Sequence, residues 1–118
     1  MNETLSPQER IRNKKEFSHL YKKGSRYRGK YFNLIYISSD LSFSRIAVVI
    51  SKKVGNAVKR NKIKRQMRTL FRRNKDLLES SFDILIIAKK EILEASWLVL
   101  QEEYFAALRS IGQNRQSL

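Results

Sequence analysis

Apolar positions along this chain fall into runs of two periods. Between Tyr31 and Ser38 the stretch YFNLIYIS is dense in aromatic and β-branched residues, which predicts a strand. RIAVVIS, Arg45 to Ser51, and FDILIIA, Phe82 to Ala88, are nearly unbroken apolar runs of strand length. Such runs predict strands covered on both faces. Residues 24–28 predict a weaker strand at a sheet edge, and SSDLS, Ser38 to Ser42, is turn-like.

Elsewhere the period becomes helical. NKKE, Asn13 to Glu16, fits a capping box and opens a helix from about Lys14 to Lys22. Phe17, Leu20 and Tyr21 share one side of it, and Gly24 ends it. SPQE, Ser6 to Glu9, has the same capping pattern, with Pro7 suited to a first helical position. Gly55 and Asn56 break the third strand and cap a helix from about Ala57 to Asn74. From Ser96 to Ile111, the residues Trp97, Leu100, Tyr104, Leu108 and Ile111 form one stripe. The order α-β-β-β-α-β-α predicts an α+β sandwich, a four-stranded sheet packed with three helices. The 118 residues suit a single domain, 1–118, with about 1–10 and 112–118 flexible at its ends.

Composition narrows the class. No apolar run reaches the roughly 20 residues that span a bilayer. MNETLSPQERIR lacks the apolar core of a secretory signal, and there is no cysteine. A cytoplasmic protein without a membrane partner is the expectation. The net charge is +14, which calls for a polyanion. Its placement says more than its size. Residues 52–75 hold eleven basic groups and no acid, whereas 76–118 hold four basic and seven acidic groups.

At about 100° per residue, Ile63, Met67, Leu70 and Phe71 make the buried stripe of the basic helix. Asn61, Lys64, Arg65, Arg68 and Arg72 fall opposite, and Arg60 sits at the edge. Unrelieved like charges at i,i+4 destabilise an isolated helix by a few tenths of a kcal/mol per pair. A merely soluble helix would intersperse Glu, so a partner is expected to bring the negative charge. Lys52, Lys53 and the free N–H groups near Asn56 extend a phosphate site to the helix start. A solvated charged face and a membrane-surface helix are the competing readings. The apolar stripe is needed to cover the flanking strands, which weighs against the membrane.

SKKVGNAVKRNKIKRQMR, from Ser51, closely resembles the signature of the bacterial ribonuclease P protein component. Its core here is Arg60, Asn61, Lys62, Ile63, Lys64, Arg65 and then Arg68. EFSHLYKKG, YFNLIY and FDILIIAKK resemble that family's first helix, second strand and last strand. The resemblance implies a ribosomal-protein-like fold with a left-handed β-α-β crossover. It implies the protein subunit of a ribonucleoprotein whose catalytic RNA, holding magnesium, removes the 5′ leader of precursor tRNA. One protein monomer per RNA is expected, with no cofactor and no catalytic residue of its own. The implied RNA contacts are Lys53, Arg60, Asn61, Lys62, Lys64, Arg65 and Arg68, and Lys52, Asn56, Lys59 and Arg72 complete the expected surface. Lys62 keeps the charge of an Arg/Lys site but not a bidentate fork. The resemblance also implies a leader cleft between the first helix and the sheet, where Phe17 and Tyr21 stack on unpaired bases. Ile35, where the family often has an aromatic, and neighbouring Tyr36 are the second-strand candidates for that cleft.

Other chemistry finds less support. His19 has no base–nucleophile set around it in the sequence. Asp40, Asp76 and Asp83 lie at turns or element ends, without the clustering a two-metal nuclease needs. A structural ribosomal or general RNA-binding protein would explain the charge but not the motif. A protein-only nuclease would need a carboxylate or histidine cluster.

Overall fold

The computed structural model describes residues 7–116, and the side chains of 8–112. After a 3-10 turn at Pro7–Glu9 come α1 (Lys14–Lys23), β1 (Ser25–Arg28), β2 (Phe32–Ser38) and β3 (Arg45–Val49). Then follow α2 (Ala57–Arg73), β4 (Phe82–Ala88) and α3 (Trp97–Gln116), with 3-10 turns at Lys75–Leu77 and Lys90–Glu94. The expected element order holds. Of the ends expected to be flexible, Pro7–Arg10 are a turn and a bridge to Ile46, and α3 continues to Gln116. Ser6, the first residue of the earlier capping pattern, lies outside the described residues.

The strands form one sheet in the order β1-β2-β4-β3. β1, β2 and β4 are antiparallel neighbours, whereas β3 and β4 run parallel, so α2 is the crossover between them. Register sorts the side chains. Ile35, Leu85 and Ala47 are paired across three strands, and Tyr36, Ile84 and Ile46 make the next row. Adjacent rows point to opposite faces.

One face is thickly covered. Phe32, Leu34, Ile84 and Ile86 pack there with Ile63, Met67, Leu70 and Phe71 of α2 and Leu100, Tyr104, Ala107 and Ile111 of α3. Burial pushes the Tyr104 phenol pKa up. The other face carries a smaller cluster of Ile35, Ala47 and Leu85 with Leu20 of α1 and Ile11 of the segment before it. α1 is ten residues long, about 15 Å. Four strands at about 4.8 Å spacing are wider than one helix of about 10 Å. Part of this face therefore stays open.

Three devices hold α1 and the β1–β2 turn in place. The Asn13 side chain caps α1 by accepting the Lys15 N–H at 2.8 Å. Across the molecule, the Glu103 carboxylate of α3 accepts the Lys30 and Tyr31 N–H groups, the latter at 3.1 Å. Burial pushes the Glu103 pKa up, against the opposing pull of those N–H donors. Lys89 Nζ donates to the Gly29 carbonyl at 2.6 Å and ties the same turn to the end of β4.

Candidate nucleic-acid interface

α2 is an amphipathic helix with a cationic outer surface. Ile63, Met67, Leu70 and Phe71 are all buried, as their spacing requires. Asn56 caps the helix, its Oδ1 accepting the Lys59 N–H at 2.9 Å. Arg60 turns back, and Nη1 donates to the Gly55 carbonyl at 2.6 Å, bracing the turn against the first helical residues. Asn61 and Arg65 are exposed, while Lys64, Arg68 and Arg72 are half-buried along one flank. The Arg68 pKa is pushed down, first by burial and then by the charges of Arg10 and Arg12. Lys59 and Lys62 lie on the other flank. They line a depression of about 220 Å³ with Gln66, Ile92 and Leu93. Lys52 and Lys53 are exposed in the turn after β3. The expected surface is thus two basic flanks around one helix.

On the opposite face of the sheet lies a groove of about 400 Å³. Phe17 and Tyr21 of α1 form one wall, and Val49, Leu85 and Ile87 form the floor. Lys14 and Lys22 stand at its rim. Tyr21 is 52% exposed, unusually open for an aromatic in an apolar setting. Arg26 of β1 covers part of it, with its guanidinium carbon 4.5 Å from the ring centroid and Nη2 donating to the Tyr21 carbonyl at 2.7 Å. Arg26 pairs with Ile35, which sets it on the α1 side.

Two expected cleft residues are not in the groove. Tyr36 points to the other face, where it is 5% exposed and meets Phe82 edge-on at 6.0 Å. Strand alternation decides this: Ile35 and Tyr36 cannot share a face. Ile35 is on the α1 side but fully buried at 0% exposure, in the cluster beneath Leu20. The residues that do make the floor sit on β3 and β4. Val49 was hidden in a run that reads as covered on both faces, yet it is 41% exposed.

The acidic groups nearest α1 are already engaged. Asp83 accepts Arg45 Nε at 2.9 Å and Nη2 at 2.7 Å, and Glu16 also pairs with Arg45. The Asp83 hydrogen bonds lead the effects that raise the Arg45 pKa and hold it charged. Asp40 and Asp76 are exposed at separate turns, and His19 is exposed on α1. Among the described residues, no group of three or more His, Asp or Glu could hold a metal ion, and no helix is long and apolar enough to cross a membrane.

Fold and surface together define a small α+β protein with a polybasic crossover helix on one side of its sheet and an aromatic groove on the other. The family model described as Ribonuclease P matches residues 5–112. The ribonuclease P protein component of Syntrophus aciditrophicus is 46% identical over 86 residues, covering 73% of this chain and 72% of that protein. The Thermotoga maritima component is 36% identical over 94 residues, 80% of each chain. The solved Staphylococcus aureus RNase P protein superposes with a TM-score of 0.81 at 31% identity, covering 87% of this chain and 94% of that one. The chain belongs to the ribonuclease P protein family, and its part in biology is a part in ribonuclease P.

Proposed function

We propose that this protein is the RNA-binding subunit of ribonuclease P and helps a catalytic RNA remove the 5′ leader of precursor tRNA. One observation carries the reading: the cationic helix and the aromatic groove lie on opposite faces of a single sheet. A molecule built this way can grip two RNA segments at once. α2 and the Lys52–Asn56 turn dock on the folded RNA subunit, where Arg forks and helix N-terminal N–H groups meet phosphates. The groove takes the single-stranded leader. Unpaired bases stack on Phe17 and Tyr21, while Lys14 and Lys22 follow the backbone.

The protein's contribution is positioning. With the RNA subunit on one face and the leader on the other, the junction between leader and tRNA is held near the RNA's catalytic centre. Bond cleavage and the magnesium ions belong to the RNA. The Arg45 pairing of Asp83 and Glu16 supports that division, because it turns the acids near the groove into structural groups. It also lessens their repulsion of an incoming phosphate chain.

Two arms test the reading with the assembled holoenzyme. Tyr21→Ala should weaken binding of leader-containing precursor by about 1–3 kcal/mol, the value of one base–aromatic stack. Mature tRNA should bind as before. Phe17→Ala should show the same contrast, and equal losses for both substrates would overturn the groove assignment. For the docking face, Arg65→Ala should lower affinity for the RNA subunit and reduce the log–log salt slope by roughly 0.7–0.9. An unchanged slope would show that this side of α2 meets something else.

A further inference from the structure

The segment before α1 runs along the outer edge of β3. The Ile11 N–H donates to the Ile46 carbonyl at 3.0 Å, and Arg10 bridges Ile46 in parallel register. Ile11 itself is buried in the cluster on the α1 side. Neighbours on an extended segment point the other way. Arg10 and Arg12 therefore project toward the face that carries α2. The preceding residue confirms the course: the Glu9 carboxylate holds Lys75 Nζ at 2.8 Å, just past the end of α2. From that pin the segment runs back along the helix, and its charges reach Arg68.

This arrangement brings cations together without a counter-charge. Among the described residues, no carboxylate pairs with Arg10, Arg12, Arg68 or Arg72. The Nε atoms of Arg10 and Arg72 are buried and have no hydrogen-bond acceptor. Among the described residues, three buried side-chain polar atoms lack a partner, and these are two of them. These unpartnered nitrogens mark arginines whose hydrogen bonding is incomplete within the protein. A phosphate oxygen matches a guanidinium fork in charge and shape.

We propose that Arg10, Arg12, Arg68 and Arg72 form a second phosphate-binding locus, with the N-terminal segment acting as a second rail beside α2. It rests on the docking reading above and extends it to two residues of the N-terminal segment. The occupant is the phosphodiester backbone of folded RNA. From the Asn56 cap to Arg72 the helix runs about 24 Å. One free phosphate cannot satisfy both ends, whereas a continuous RNA backbone can.

The test is the salt dependence of binding to ribonuclease P RNA at fixed magnesium. Arg10→Ala/Arg12→Ala should reduce the slope by about 1.4–1.8 and lower affinity roughly 15- to 30-fold at 0.15 M salt. Lys23→Ala/Lys90→Ala removes the same charge from exposed positions elsewhere and should change the slope far less. Arg10→Lys/Arg12→Lys retains the charges and should return the slope to the wild-type value. If the Ala pair matches the Lys23/Lys90 control while Arg65→Ala still flattens the slope, the second locus is wrong and the docking face stands. If Arg65→Ala also does nothing, both fall. If the Lys pair loses as much slope as the Ala pair, the segment acts through folding, and the locus is again wrong.

Discussion

Gly24 has no room for a side chain. A Cβ there would lie 2.6 Å from Ile35 Cγ2 and 2.6 Å from the Leu20 carbonyl oxygen. The carbonyl belongs to α1 and cannot move alone, so α1 itself would shift. Gly24→Ala should therefore destabilise the protein by about 1–3 kcal/mol in denaturant titration, as overpacking does. It should also weaken leader binding, because α1 is the groove wall. At this scale the sequence was only partly legible. The i,i+4 spacing puts Phe17 and Tyr21 on one side of α1, and both line the groove. Ile35 and Tyr36 were not separable, because an apolar strand covered on both faces does not declare which parity faces which helix. Arg26 was missed for a similar reason. Only the pairing of β1 with β2 brings it back over Tyr21.

The element that most defines the surface is α2. Its first turn has no acidic residue, so the positive end of the helix dipole meets Lys59 and Arg60 rather than a carboxylate. Asn56 compensates as the cap. Asn56→Ala should lower stability by about 1 kcal/mol. Asn56→Asp keeps a capping oxygen and adds a favourable charge, so its stability should match or exceed wild type. That same charge should weaken RNA binding. Thermal melts together with RNA titrations check the pair: Asn56→Ala should melt below wild type and Asn56→Asp at or above it, while Asn56→Asp binds RNA more weakly than wild type. The limits of α2 and β4 were legible, since Asn56 and the turn before Phe82 are local signals. The Lys90–Glu94 turn was not. It is held by burial of Ile92 against the main core, which is a tertiary effect.

At the scale of the molecule, charge and topology divide the work between faces. Ten of the eleven basic residues of 52–75 fall on α2 and its leading turn, with Lys75 in the turn just after it, and the acid-rich end builds β4, α3 and their connections. α3 then uses Glu103 to brace the β1–β2 turn rather than to oppose the basic surface. The charge pattern along the chain revealed that a polyanion is wanted. It could not reveal a groove on the opposite face, because that space arises from one short helix lying on a wider sheet.

The central claim is that the protein assists an RNA catalyst and does not cut RNA itself. Its most direct test is cleavage of precursor tRNA in magnesium at near-physiological salt, comparing protein alone, ribonuclease P RNA alone, and both together. The account predicts no cleavage by the protein, and release of the 5′ leader by the RNA that the protein strongly stimulates. Cleavage by the protein alone, or an RNA reaction unchanged by its addition, would contradict it.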